Sequence, residues 1–173
     1  MIDVLAISGS LRAASKNTAL LEAAVRVPPP GMRVRRFRGL GSFPLFNPDI
    51  EFPTPPPVAD FIAQIAAADA LLIASPEYAH GVTGVIKNAL DWVVSSPAFI
   101  DKPVALINAS PRATIAYDAL RETLVTMSAR MIEGACVTIA VPPMARDAEG
   151  VLTVPELVVA LRRALAEIQR AAQ

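Results

Sequence analysis

The chain has 173 residues, with 16 lysines and arginines against 16 acidic residues, and is 53% hydrophobic. This length suits one domain, residues 1–173, with a single sizeable core. The balanced charge argues against a nucleic-acid partner, and no apolar run approaches the roughly 20 residues of a membrane span. No signal peptide is predicted, and the lone Cys136 cannot form an intramolecular disulfide. We therefore expect a cytoplasmic protein that binds neither membrane nor nucleic acid.

Apolar strand-like runs alternate with helical patterns along the chain. The predicted strands are Ile2–Ile7, Met32–Phe37, Ala70–Ser75, Val104–Asn108 and Ala135–Val141. The predicted helices are Asn17–Val27, Val58–Ala68, Gly84–Ser95, Ile115–Ala129 and Pro155–Ala171. Strand–helix alternation of this kind predicts right-handed crossovers and a mainly parallel sheet, so the expected fold class is α/β.

One connecting loop and one of the predicted helices are unusually apolar. The long loop Arg38–Pro57 is too apolar to be only solvated, which indicates a functional loop or one packed on a neighbour. The helix Gly84–Ser95 spreads apolar residues beyond one stripe, with Val85 and Trp92 beside the core face. This broad arc predicts burial against another subunit.

A hydroxyl-rich loop, Gly9–Asn17, directly follows the first strand and leads into a helix. The first turn of a helix offers unpaired backbone N–H groups and the positive end of the helix dipole. Ser10, Ser15 and Asn17 can add donors, and Arg12 can add a charged fork. The pattern predicts a phosphate site, although Ser15 and Asn17 could instead simply cap the helix.

A second motif, Ser75–Gly81, follows the third strand. In a doubly wound sheet, ligands bind beyond the carboxyl ends of the strands, where the strand order reverses. The loops after the first and third strands therefore belong to one crevice. The only histidine, His80, lies here without an identifiable carboxylate partner, so we predict neither a catalytic acid or base nor a metal site.

Both motifs together resemble the NADPH-dependent FMN reductases of flavodoxin-like fold. The resemblance rests on Gly9-Ser10-Leu11-Arg12 with Ser15 and Asn17, on Pro76-Glu77-Tyr78, and on Lys87-Asn88-Ala89-Leu90-Asp91-Trp92. It extends to about Pro142, and Leu45–Asp49 also resembles a linker of that family. It implies a three-layer sandwich whose five-stranded parallel sheet has the order 2-1-3-4-5.

The resemblance also implies roles for individual residues. Ser10, Arg12, Ser15 and Asn17 match the residues that hold the FMN phosphate. Pro76, Glu77 and Tyr78 match the loop against the isoalloxazine ring, and Gly84–Trp92 matches a helix that pairs subunits. The expected cofactor-binding residues are Ser10, Arg12, Ser15, Asn17, Pro76, Glu77, Tyr78, Ala79, His80 and Ser110.

The ring loops depart from the family pattern. Ala79 stands where the family usually has Asn, and Gly81 and Thr83 stand where it usually has Ser and Pro. The third flavin loop, Asn108–Ala113, lacks the glycines common there. These changes leave the phosphate motif intact and alter the surroundings of the ring.

The expected function is FMN-dependent reduction of FMN, quinones or similar small acceptors, with NADPH or NADH as electron donor and ping-pong kinetics. The family resemblance and the apolar arc imply a homodimer or homotetramer. An electron carrier or a non-catalytic binding module of the same fold is the alternative. Carriers of this fold are typically acidic, whereas this chain is neutral.

Overall fold

A computed structural model describes residues 1–173. The main sheet contains β1 (Ile2–Ser8), β2 (Met32–Arg36), β3 (Ala70–Ala74), β6 (Pro103–Ile107) and β7 (Arg130–Met131), while β4 (Glu77–Tyr78) and β5 (Gly81–Val82) form a hairpin. The helices are α1 (Lys16–Arg26), α2 (Pro56–Ala67), α3 (Gly84–Val93), α4 (Ile115–Thr126), α5 (Ala148–Leu152) and α6 (Pro155–Ala171). None of these helices has the length and apolar character needed to cross a bilayer.

The sheet is entirely parallel and has the order β2-β1-β3-β6-β7. Counted within the main sheet alone, this is the predicted order 2-1-3-4-5, which is confirmed. The order reverses direction at β1 and β3, whose last residues, Ser8 and Ala74, lie opposite each other. The crevice expected at a switch point therefore opens between the loops that follow these two strands.

Helices cover both faces of the sheet, as the three-layer prediction requires. Alternate strand residues point to opposite faces. Val4 and Ala6 of β1 join a core cluster with α1, α5 and α6, whereas Leu5 and Ile7 join a second cluster with α2, α3 and α4. Strands buried on both faces explain why their sequences are nearly continuous apolar runs.

The predicted fifth strand, Ala135–Val141, is wrong in position. The fifth strand of the sheet is the two-residue β7, and its first residue, Arg130, pairs with Pro103. The segment 135–141 begins at the end of a short 3-10 turn, Glu133–Ala135, and contributes only one isolated bridge, between Thr138 and Asn108. The segment still runs beside the end of β6, because the Asn108 N–H donates to the Val137 carbonyl at 2.9 Å and the Ile139 N–H donates to the Asn108 carbonyl at 2.8 Å. Its apolar residues Ile139 and Val141 are buried in the first core cluster.

The interface role predicted for Trp92 is also wrong, because this side chain is buried within its own chain. Only 1% of Trp92 is exposed, and its indole N–H donates to the carbonyl of Pro44 at 2.8 Å. The ring of Phe46 packs edge-on against it, with centroids 5.1 Å apart. The loop Arg38–Pro57 is therefore packed on α3, which is one of the two alternatives that the sequence left open.

Candidate functional site

A cleft of about 420 Å³ lies at the carboxyl ends of β1 and β3. This volume is within the range of small-molecule sites. The loops after β1 and β3 line it, as the switch-point argument predicts, and so does the loop after β6, which the family resemblance implies. Eight of the ten predicted site residues line the cleft. They are Ser10, Arg12, Ser15, Asn17, Pro76, Glu77, Tyr78 and Ser110.

The loop after β1 ends in the N-terminus of α1, which opens into the cleft. Ser15 is the N-cap, and its hydroxyl accepts a hydrogen bond from the Thr18 N–H at 3.3 Å. The backbone N–H groups of Lys16 and Asn17 have no acceptor within the chain. Since the first helical turn carries a partial positive charge, these donors suit an anion in the cleft.

Serine hydroxyls hold the loop in shape. Ser8 Oγ lies 2.7 Å from Thr18 Oγ1 and accepts from the Ser10 N–H at 3.3 Å. Ser10 Oγ in turn accepts from the Arg12 N–H at 3.3 Å. These local bonds leave the Arg12 guanidinium exposed and without a carboxylate partner.

Asn17 carries the clearest sign of a missing ligand. Its Oδ1 is the buried side-chain polar atom without a hydrogen-bond partner in this chain, and the residue is only 7% exposed. An unsatisfied buried polar atom costs about 1–3 kcal/mol. A half-turn of the Asn17 amide about its last side-chain bond exchanges the oxygen and the NH2 group, so the same position can present the NH2 group as a donor. A phosphate bound beside Lys16 would supply its acceptor.

Gly9 and Thr83 bring the loops after β1 and β3 together. The Gly9 N–H donates to the carbonyl of Ala74 at 2.9 Å, and Thr83 Oγ1 donates to the carbonyl of Gly9 at 2.7 Å. Thr83 is 3% exposed and is also the N-cap of α3. The departure from the family at this position thus gives the two loops a direct hydrogen bond.

Ala79 and His80 do not line the cleft. They are the two central residues of the β4–β5 hairpin turn, with φ values of 50° and 58°. Positive φ at both positions is the geometry of a type I′ turn, which matches the twist of a hairpin. Asn tolerates this geometry better than Ala, which gives a physical reason for the family's preference at position 79.

The absence of a carboxylate partner for His80 was a wrong prediction. Its Nδ1 lies 3.1 Å from Glu77 Oε1, although the histidine side chain is 77% exposed. The other oxygen of Glu77 accepts a hydrogen bond from the Ala116 N–H at 2.9 Å. The carboxylate therefore ties the hairpin to the N-terminus of α4, and this contact fixes one wall of the cleft.

His80→Ala is expected to slow turnover by about tenfold or less, equivalent to roughly 1.4 kcal/mol. The ring is exposed and lies outside the cleft lining, and Glu77 keeps its bond to Ala116 without it. A general acid or base usually contributes about 10²–10⁴-fold. For the flavin-dependent reduction that the family resemblance implies, stopped-flow measurement of FMN reduction by NADPH, and then of reoxidation by a quinone, separates the two roles. A thousandfold loss in either half-reaction with FMN still bound would make the histidine catalytic.

The motif-based prediction missed several residues of the cleft. Asn108, at the end of β6, shapes the third loop because its side chain donates to the Ala113 carbonyl at 3.0 Å and accepts from the Ser110 N–H at 3.0 Å. Its position directly after an apolar strand was the available signal. Pro143 and Arg146 reach the cleft from the segment before α5, which carries no motif.

Two ionisable side chains near the third loop are unsuited to acid–base work at neutral pH. Burial raises the pKa of Tyr117 to about 12, and its hydroxyl donates to the carbonyl of Leu106 at 3.1 Å. Burial likewise raises the pKa of the Cys136 thiol. Both groups stay protonated near pH 7, so neither supplies a nucleophile or a base there.

Comparison with known proteins agrees with this arrangement. Residues 2–141 match the family described as NADPH-dependent FMN reductase. An NAD(P)H-dependent FMN reductase of Pseudomonas aeruginosa is 42% identical over 156 residues, which cover 86% of this chain and 83% of that protein. A quinone reductase of Pseudomonas putida is 35% identical over 131 residues, covering 71% and 69% of the two chains.

A solved structure shares the fold. The flavoenzyme NAD(P)H:(acceptor) oxidoreductase FerB from Paracoccus denitrificans superimposes with a TM-score of 0.75 and covers 98% of each chain. Its sequence is 23% identical to this one. The likeness therefore concerns the fold.

Proposed function

Because the chain belongs to the NADPH-dependent FMN reductase family, we propose that it binds FMN in the cleft and uses NAD(P)H to reduce FMN, quinones or similar small acceptors. The single observation that carries this proposal is the anion site at the start of α1. There, unpaired N–H groups and the buried, unpartnered amide of Asn17 lie beside the free guanidinium of Arg12.

Each part of the cleft has a separate task in this proposal. Ser10, Ser15, Asn17 and Arg12 bind the phosphate, and the hairpin wall at Pro76–Tyr78 and the third loop at Ser110 hold the ring. Bound FMN supplies hydride and electron transfer, while the protein contributes binding, orientation and electrostatics. More than half of Tyr78 is exposed, so its ring is available to cover a planar ligand at the cleft mouth.

The direct test is an absorbance spectrum of the purified protein, followed by NAD(P)H oxidation with a quinone as acceptor. We expect a flavin spectrum, bleaching by NAD(P)H, and ping-pong kinetics in which donor and acceptor use the same ring face alternately. A coloured protein that fails to oxidise NAD(P)H would be a carrier. A protein that binds no flavin when FMN is added would be a binding module of the same fold.

We also propose that the chain forms a homodimer or homotetramer through the edge of α3. With Trp92 buried, the apolar surface beside this helix comes from Leu45, 83% exposed, and Val94, 62% exposed. Leu45 is held against α3 because Asn88 bonds to both of its neighbours, donating to the Pro44 carbonyl at 3.0 Å and accepting from the Phe46 N–H at 2.8 Å. Rigid, exposed apolar groups suit a protein interface.

Leu45→Asp is expected to shift the protein toward monomers, because a charge would replace an apolar contact in the interface. Val159→Asp is the matched control, since Val159 is 50% exposed on α6, which packs on the opposite face of the sheet. Sedimentation velocity across a dilution series measures the change. A wild-type protein that is monomeric at all concentrations would contradict the proposal.

A cytoplasmic location remains part of the proposal. The reaction consumes NAD(P)H, which metabolism regenerates in that compartment. The one cysteine is a free thiol, as reducing conditions allow. We likewise propose that residues 1–173 work as one domain around the single main sheet.

A further inference from the structure

A second groove, of about 610 Å³, adjoins the cleft on the outer side of the phosphate loop. Ser10, Arg12 and Arg146 line both spaces, so they form the rim between them. The far side of the groove is built from α1 and from the end of β2. We call this second space the arginine groove after its five arginines, Arg12, Arg26, Arg36, Arg38 and Arg146.

Positive charge in the arginine groove is only partly compensated. Arg36 and Arg38 share one oxygen of Glu22, with N–O distances of 2.5 and 2.6 Å, so one carboxylate faces two guanidinium groups. Arg26 pairs with Glu149, which lies outside the groove lining. The remaining acid, Asp147, accepts a hydrogen bond from the Gly150 N–H at 2.8 Å as the N-cap of α5.

Arg12 and Arg146 have no carboxylate within 4 Å. Five arginines thus stand against three acids, in a chain whose total charge is zero. A guanidinium group presents a planar fork that matches phosphate oxygens. The two unpaired guanidinium groups stand at the rim, where a ligand would pass from one space to the other.

We propose that the arginine groove binds the phosphate-bearing adenosine half of a dinucleotide whose other half lies in the cleft. This inference rests on the proposed function, because the cleft must hold the flavin or nicotinamide part. One source of the adenosine is NADPH, whose 2′-phosphate would meet the arginines and whose analogue NADH lacks that group. The other source is FAD, whose adenylate would continue outward from the flavin phosphate.

The choice of a dinucleotide follows from the shared rim and the charge. The donors of the phosphate loop are enough for one phosphate, so a second anionic group needs further cations. The arginine groove supplies these cations directly beside the phosphate loop rather than on a separate face of the protein. FAD would span both spaces as one ligand, whereas with NADPH the phosphate loop keeps the FMN phosphate and the groove receives the 2′-phosphate of the second ligand.

Arg38→Ala is the variant for the test, because Arg38 lines only the arginine groove and Glu22 keeps Arg36 as its partner. Arg33→Ala is the matched control, since Arg33 also lies on the β2 side and is paired with Asp3 away from the groove. Both variants lose one positive charge. The measurements are kcat/KM for NADPH and for NADH with a soluble quinone, and the Kd of adenosine 2′,5′-bisphosphate by titration calorimetry.

If NADPH is the source, Arg38→Ala should lower kcat/KM for NADPH about fivefold and raise the Kd of adenosine 2′,5′-bisphosphate by about the same factor, which is the scale of an exposed charge pair. Turnover with NADH should not change, and Arg33→Ala should change neither value. If FAD is the source, the ratio of kcat/KM for NADPH to kcat/KM for NADH stays constant. Arg38→Ala then weakens the binding of FAD, but not of FMN, in titrations of the flavin-free protein. Either result supports the groove as an adenosine-phosphate site.

Unchanged values for NADPH, bisphosphate and FAD in Arg38→Ala would overturn the inference. That failure is distinct from a failure of the proposed function, which would appear in the wild type as no retained FMN and no turnover with NADH. The bisphosphate and FAD titrations need no turnover. These titrations therefore test ligand binding by the arginine groove whether or not the protein turns over NAD(P)H.

Discussion

Gly9→Ala is expected to lower the free energy of unfolding by about 1–3 kcal/mol, the usual scale for overpacking a tight site. A Cβ atom on Gly9 would lie 2.2 Å from Ser75 Oγ and 2.7 Å from Ser75 Cβ. Rotation of the hydroxyl relieves only the first contact, so the backbone of one loop has to move. Because Thr83 bonds to the Gly9 carbonyl, that movement would also disturb the start of α3. FMN retention should fall together with stability.

Urea denaturation and FMN titration measure both effects of this substitution. Gly84→Ala is the matched control, because a Cβ there meets nothing within 4 Å and α3 begins at this residue. We expect the control to be neutral or stabilised by up to about 1 kcal/mol. Ser75→Gly should partly rescue Gly9→Ala, since it removes both close atoms. A stable Gly9→Ala protein with normal FMN affinity would show that the two loops are not in tight contact.

The sequence predicted the parts of the fold that depend on local pattern. Continuous apolar runs identified β1, β3 and β6, because strands covered on both faces have no polar side. The starts of the five predicted helices lie within two residues of the observed ones, and α6 was predicted with the bounds that the structure has, whereas the short α5 was not predicted. The strand order followed from the family resemblance rather than from any property of single segments.

Errors arose where tertiary contacts decide the structure. The apolar segment 135–141 looks like a full strand, but it meets the sheet only through one bridge and a few backbone hydrogen bonds beyond the end of β6, while Ile139 and Val141 are buried in the first core cluster. A helical projection placed Trp92 at the side of α3, where it could face a partner. Only the return of a loop nearly fifty residues earlier, with the Pro44 carbonyl as acceptor, buries it within the chain.

In the site, too, local pattern predicted some features and tertiary contacts decided the others. Residues at the carboxyl ends of β1 and β3 could be placed in one crevice because parallel strands end at one edge of a sheet. The contact between His80 and Glu77 could not be placed, since it depends on two non-glycine residues with positive φ. Arg146 was missed because the segment before α5 has no periodic pattern, and its position becomes meaningful only beside Arg12.

Arg12→Ala is expected to weaken FMN binding by roughly 1–3 kcal/mol, the scale of losing a charged hydrogen-bond partner. The guanidinium group lines the cleft, has no competing carboxylate, and stands next to the free donors of α1. Titration of the flavin-free protein by fluorescence quenching gives the affinity. Arg112→Ala is the matched control, because Arg112 lies on the third loop but outside the cleft lining and would report only a general loss of positive charge.

Riboflavin separates recognition of the phosphate from recognition of the ring. It lacks the phosphate, so Arg12→Ala should leave its affinity nearly unchanged while FMN affinity falls, and the preference for FMN should shrink by the same factor. Part of the preference should remain, because the N–H groups of Lys16 and Asn17 and the dipole of α1 still favour an anion. If the wild type bound FMN and riboflavin equally well, phosphate recognition by this loop would be refuted, whatever the effect of the substitution.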